Sequence, residues 1–143
     1  MGRYRRGGHT VYELHCHFVF TTKHREPVLR GDVGVRLREL VREVCRARDI
    51  RVLKGRVKPE HVHLFASLPP HLAPAEAMRA IKRKSARKLL REFPRLKKQL
   101  RGEDLWSRGY FVSTSGDVTD EVVAQYVMNQ DLTSDDEDFE VSE

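Results

Sequence analysis

Two histidines and one tyrosine carry the chemistry that this chain could do. His61-Val62-His63 has the alternation of a β-strand, so both imidazoles project from one face, about 7 Å apart along it. Two imidazoles at that spacing can converge on one divalent cation. Tyr126 and Gln130 stand four residues apart in a helical stretch and share one helix face. The Gln130 amide oxygen is a candidate third ligand. Two imidazoles and one neutral oxygen leave positions open for water and phosphate oxygens. That suits Mg²⁺ or Mn²⁺ better than a closed structural zinc site. Such a cation polarises a phosphodiester, and a phenol can attack it once deprotonated. The resulting phosphotyrosine would conserve the bond energy for rejoining. Each feature alone also fits a structural role, as strand histidines or as a packing tyrosine. Their combination is what points to a reaction.

The charge pattern names a partner class. The 143 residues hold 27 lysine and arginine against 21 acidic residues. Six of the acidic residues lie in 132–143, which leaves 27 basic against 15 acidic in 1–131, a net +12. A body so basic is built to meet a polyanion. Residues 79–101 hold eleven basic residues and only Glu92 as an acid. Lys82, Arg83, Lys84 and Arg87 are candidate DNA contacts there, with Lys23 and Arg25 extending the surface and Arg3, Arg5 and Arg6 nearby. Contacts of this kind supply affinity and salt dependence rather than sequence choice. Cys16 and Cys45 sit in apolar runs and read as core residues, which fits a reducing cytosol. No secretory h-region and no membrane-length apolar run is present, so a soluble cytoplasmic protein is expected.

The elements that must position these residues follow from periodicity. A flexible basic arm is expected over 1–9, one folded domain over 10–131 and a disordered acidic tail over 132–143. Strands are expected at 11–22, 50–57, 61–68 and 105–115, with short turns at 58–60 and 115–117. In the first, Tyr12, Leu14, Cys16, Phe18 and Phe20 share one face, and Glu13, His15 and His17 the other. Helices are expected at 32–48, 74–93 and 119–130, the first on a stripe of Val33, Leu37, Leu40, Val41, Val44 and Cys45. Asp32 and Thr119 are candidate caps, and Pro74 suits a first turn. Strand, helix, strand, strand, helix, strand and a final helix make an α+β, ferredoxin-like (RRM-like) fold. It is an antiparallel sheet with helices on one face, plus a C-terminal helix carrying the tyrosine. His15 and His17 are expected as partly exposed strand histidines, and Trp106, Tyr110 and Phe111 as packing residues.

These residues together resemble a known family, the single-tyrosine HUH transposases of small bacterial and archaeal insertion sequences, with REP-associated tyrosine transposases as close relatives. Four stretches spread over about 10–131 carry the resemblance. The first is Leu14 to Leu29, with Lys23-His24-Arg25 and Pro27-Val28-Leu29. The second is Lys58-Pro59-Glu60-His61-Val62-His63-Leu64. The third is Ile81 to Arg87, with Lys82, Lys84 and Ser85. The fourth is Leu105 to Thr114, leading into Tyr126 and Gln130. Glu60 stands where the family more often has aspartate. The resemblance implies His61, His63 and Gln130 as metal ligands and Tyr126 as the nucleophile. It implies cleavage of single-stranded DNA near hairpins at element ends, through a 5′-phosphotyrosine and a free 3′-OH. It also implies a homodimer whose sheets merge, with no small-molecule cofactor and no membrane partner. A non-catalytic or domesticated single-strand nucleic-acid binder of the same fold is the alternative. A nuclease that uses water as nucleophile is a third reading.

Overall fold

Residues 15–21 and 61–67 alternate between two environments, and residues 33–45 repeat their apolar members every three or four positions. Strand against strand beneath a helix is the arrangement that buries both patterns. The computed structural model describes residues 4–114 and 119–132, apart from the side chains of 120 and 130–132. In chain order its elements are β1 (Arg5–Arg6), β2 (Val11–Tyr12), β3 (His15–Thr21), α1 (Gly31–Ala47), β4 (Arg51–Val57), β5 (His61–Ser67), α2 (Pro74–Glu92), α3 (Arg95–Gln99), β6 (Phe111–Ser113) and α4 (Asp120–Leu132). A 3-10 turn at Lys23–Arg25 follows β3.

The main sheet has four strands in the order β4-β5-β3-β6, and every neighbouring pair is antiparallel. Cys16, Phe18 and Phe20 of β3 and Val62, Leu64 and Ala66 of β5 point to one face. There they meet α1 through Val33, Leu37 and Leu40 and α2 through Met78, Ile81 and Leu89 in one buried core. The stripe read for α1 is the set of residues that α1 buries. The opposite face is covered separately: Val123 and Val127 of α4 pack on Val19 of β3, with Phe111 and Tyr126 beside them. The sheet therefore lies between the α1–α2 layer and α4.

Several boundaries differ from the sequence reading, each for a physical reason. The run 11–22 is broken: β2 leaves the main sheet to pair with β1, and Leu14 is exposed. The arm expected over 1–9 is tied down at Arg5, whose guanidinium donates to Ser67 O and Oγ at 3.0 and 3.1 Å and to Asp49 O and Oδ1 at 2.9 and 2.8 Å. The strand expected over 105–115 shrinks to β6, because Leu105 and Trp106 turn into the core and Gly109 takes φ +74°. Between Pro94 and Glu103, where no regular element was expected, lies the short helix α3. At α1, Arg30 rather than Asp32 holds the cap position, without a side-chain cap. At α4, Thr119 Oγ1 accepts from Val122 N at 3.2 Å, as a capping threonine should. The turn at 115–117, residues 1–3 and the tail beyond 132 lie outside the described residues. No helix among the described residues is long and apolar enough to cross a membrane.

Candidate active site

The site grows out of strand register. β3 and β5 pair Thr21 with His61, Val19 with His63 and His17 with Phe65. By alternation, His61 and His63 of β5 share a face with His17, Val19 and Thr21 of β3. Val19 is the residue on which α4 sits, so the helix bearing Tyr126 covers the histidine face. The expected pairing of His61 with His63 on one face is thus what the register produces.

His17 is more deeply placed than its expected role as a partly exposed strand histidine. It is 8% exposed and its Nδ1 lies 3.2 Å from His63 Nε2. Its ring stacks on Phe65, with centroids 4.2 Å apart and planes 20° apart. Sequence reasoning placed His17 on the strand next to the histidine pair but could not see the diagonal contact. Three polar atoms on this face are buried without a hydrogen-bond partner: His17 Nε2, His61 Nδ1 and Thr21 Oγ1. Glu60 Oε1 stands 3.7 Å from His61 Nδ1, an ion-pair distance too long for a hydrogen bond. Burial holds the His61 imidazole below its ordinary pKa, against the opposing pull of Glu60. Burial, and then the neighbouring His15, lowers that of His17. Both rings are therefore neutral at pH 7, the form that donates a lone pair.

Tyr126 is half-buried, its ring 5.9 Å from that of Phe111, and burial pushes its phenol up to about 12. Gln130 follows it by four residues within α4, but its side chain, the expected third ligand, lies outside the described residues. Among the described residues, no group of three or more His, Cys, Asp or Glu side chains is gathered to hold a metal. The chemistry of the pair nonetheless suits a divalent cation: two imidazoles on one strand face, a His61 nitrogen without a hydrogen-bond partner, and a face that closes under a helix.

The basic residues separate into three settings. The turn Lys23–Arg25 leaves the His61 end of β3 and packs against α4. Its His24 and Arg25 hold φ of +55° and +53°, left-handed backbone that non-glycine residues adopt at a cost of about 1 kcal/mol or more each. Such strain clusters at functional sites. Arg83 and Arg87 are exposed on α2 and, with Arg48, Arg79 and Lys84, line a groove of about 440 Å³ against α1. Lys84 also pairs with Glu43 at 3.3 Å. Lys82 points elsewhere: its ammonium donates to Ser107 O at 2.8 Å and Gly109 O at 2.6 Å. Burial pulls its pKa down to about 8. Nearby, Trp106 Nε1 donates to Ser85 Oγ at 3.0 Å, which explains a serine on the buried side of α2.

Comparison with known proteins finds relatives that span most of the chain. Residues 10–130 match the family model described as IS200-like transposase. The ISDra2 transposase TnpA of Deinococcus radiodurans is 32% identical over 126 residues, spanning 88% of this chain and 90% of that protein. The transposase for insertion sequence element IS200 of Salmonella typhimurium is 28% identical over 130 residues, 91% of this chain and 85% of that protein. A crystal structure of a Deinococcus radiodurans R1 protein described as a transposase superposes with a TM-score of 0.82 at 31% identity, covering 88% of this chain and 97% of the other. A REP-associated tyrosine transposase bound to a REP hairpin shares the fold, with a TM-score of 0.54 at 20% identity over 89% and 68% of the two chains.

Proposed function

The chain belongs to the IS200-like transposase family, and we propose that it cleaves and rejoins single-stranded DNA at insertion-sequence ends through Tyr126. The observation that carries this reading is the coverage of the His61–His63 face by the helix that bears Tyr126. In the proposed step the Tyr126 oxygen bonds to the scissile phosphorus and the P–O3′ bond breaks. The phenol gives up its proton and the departing 3′ oxygen gains one. The product is a 5′-phosphotyrosine and a 3′-OH, and attack by a 3′-OH on the phosphotyrosine rejoins the strand. No ATP is required because the phosphodiester energy stays in the covalent link.

His61 and His63 would hold Mg²⁺ or Mn²⁺, with Gln130 as third ligand. When bound, the cation offsets charge on the phosphate and favours ionisation of the phenol. The protein's share is to place both imidazoles on one strand face, with burial keeping His61 neutral, and to hold the phenol in a half-buried setting. With a pKa of about 12, roughly one phenol in 10⁴ is ionised at pH 8, so ionisation must be assisted when DNA is bound. Arg25, at the strained turn against α4, would hold the DNA strand near the tyrosine, whereas Lys23 of the same turn, also expected to contact DNA, is buried and supports the turn from within. Arg83, Lys84 and Arg87 would bind backbone elsewhere, and the REP hairpin bound by one structural relative supports a hairpin partner. The order β4-β5-β3-β6 supports a ferredoxin-like fold, and a homodimer with merged sheets completes the proposal.

The test is a covalent adduct. Labelled hairpin DNA with a single-stranded flank is incubated with the protein and Mn²⁺, then run on a denaturing gel. A slow protein–DNA band that disappears in Tyr126→Phe is the expected result. Cut ends that persist in Tyr126→Phe would point to water as nucleophile, and binding without cutting would point to a DNA-binding module.

A further inference from the structure

The DNA contacts given above lie on α2 and on the turn after β3, yet the other flank of α1 carries charge that they leave unused. Arg38, Arg42 and Arg46 recur every four residues, so one side of α1 presents three guanidiniums spaced by about 6 Å along its axis. All three residues are exposed, and none of these guanidiniums has a hydrogen-bond or ion-pair partner among the described residues. The glutamates of the helix turn the other way: Glu39 and Glu43 pair with Arg36, and Glu43 also with Lys84 of α2. A solvated face would interleave the two signs, whereas helix rotation here sorts them. The arginine flank borders a groove against β4. One part, of about 320 Å³, lies between Gly34, Arg38 and Arg42 on one side and Val52 and Gly55 on the other. The next part, of about 340 Å³, runs from Arg42 and Val52 past Arg46 to Arg51. Arg42 and Val52 line both, so the two parts meet in one channel along the sheet edge. The single acid among its lining residues, Asp49, is held by Arg5 at 2.8 Å. Val41, Val52 and Leu64 give the channel an apolar floor. A Cβ at Gly55 would stand 3.8 Å from Leu64 Cδ1, over that floor, and glycine keeps it clear.

We propose that this channel holds a stretch of single-stranded DNA, with phosphates on Arg38, Arg42 and Arg46 and sugars or bases against the apolar floor. The inference rests on the reading above, because it takes the same substrate and adds a second hold on it. A row of cations without acids calls for a polyanion. The step of about 6 Å along the row is close to the separation of successive phosphates in an extended strand. A channel bounded by one helix and one strand admits an unpaired strand and excludes a duplex. A second copy of the chain is disfavoured at this edge. β4 ends the sheet and carries Arg51, Lys54 and Arg56 with no acid, so strand addition between two copies would set like charges side by side. Tyr126 and α4 lie on the other face of the sheet. A strand in the channel therefore reaches the tyrosine only by rounding the sheet, and the channel grips DNA at a distance from the cut.

The test compares two DNA hairpins with one stem, their single-stranded flanks shorter and longer than the usual single-strand site of about 4–16 nucleotides. Affinities over a range of salt are measured for the full-length wild type and for a triple variant, Arg38→Gln with Arg42→Gln and Arg46→Gln. Glutamine has a helix propensity close to that of arginine, so the fold should stand, as circular dichroism and thermal midpoint would report. The variant should bind the long-flank hairpin at least tenfold more weakly, with a log–log salt slope flatter by about 2. It should bind the short-flank hairpin as the wild type does. Iodouracil placed along the long flank should crosslink, in the wild type, to peptides of α1 or β4. Equal affinity of variant and wild type for the long flank would overturn the channel. An equal loss on both hairpins, or crosslinks confined to α2 and α4, would overturn it as well. Should the variant fail to fold, the wild-type crosslinks alone decide. The covalent band keeps this result separate from the proposed reaction. A wild type that binds as expected but forms no band overturns the chemistry at Tyr126 and leaves the channel standing, and a normal band without the flank effect does the reverse.

Discussion

Replacing Lys82 with methionine should weaken the fold rather than the hold on DNA, and the loss should grow with pH. The Lys82 ammonium joins α2 to the carbonyls of Ser107 and Gly109, which places it in a supporting role for the segment before β6. Each hydrogen bond from a charged donor contributes about 1.5–3 kcal/mol, and truncation would leave two carbonyls short of a donor. Against this stands the cost of burying the charge. A fall from 10.5 to about 8 corresponds to roughly 3.4 kcal/mol, which residual solvent contact reduces to about 2 kcal/mol. The net loss in Lys82→Met is therefore about 1–4 kcal/mol at pH 7. The sign of the pH dependence follows from proton counts. Below pH 8 both folded and unfolded chains carry the ammonium, so the folded wild type bears the full burial cost. Between pH 8 and 10.5 the folded chain releases the proton and the unfolded chain keeps it, so wild-type stability gains relative to the variant. Urea unfolding of both proteins at pH 7 and pH 10 should show a gap wider by about 1–2 kcal/mol at the higher pH. A gap that is constant or narrower, with DNA affinity reduced as much as in Arg87→Ala, would refute this placement of Lys82.

Other consequences can be read in separate assays. Arg83→Ala and Arg87→Ala should each flatten the dependence of log affinity on log salt by about 0.7 for a single-stranded contact or about 0.9 for a duplex one, with thermal midpoints nearly unchanged. An unaltered slope would remove these residues from the DNA surface. Single-turnover cleavage by the wild type should rise with pH from pH 7 to 9, since burial raises the phenol so far that even assisted ionisation stays incomplete there. A plateau beginning below pH 8 would show that the phenol does not attack from its buried setting. Trp106→Phe should cost roughly 2–3 kcal/mol by losing the Ser85 hydrogen bond and packing against Phe20, and a double-mutant cycle with Ser85→Ala should show coupling of about 1 kcal/mol. Additive effects would mean that the indole and the hydroxyl act independently.

What could be read from residues alone was whatever depends on local period. The stripe from Val33 to Cys45 specifies α1 because a helix of 3.6 residues per turn brings those six side chains to one side. His61 and His63 share a face because strand alternation allows nothing else. The net charge of 1–131 implies a polyanion whatever the fold. The same local logic failed where long-range contact decides. Tyr12 and Leu14 continue the alternation of β3, yet β2 turns away to meet β1, and Arg5 finds carbonyl and carboxylate partners 44 and 62 residues distant. Lys82 and Arg83 are neighbours of equal charge, but helix rotation sends one inward to two carbonyls and leaves the other in water. His17 and His15 share parity on one strand, and only the register with β5 brings His17, not His15, against His63. Which face of the sheet α4 covers is likewise a matter of packing, settled when Val123 and Val127 bury Val19. Periodicity acts within a few residues and is written in the sequence. Register, rotation and docking depend on surfaces that exist only once distant segments have met.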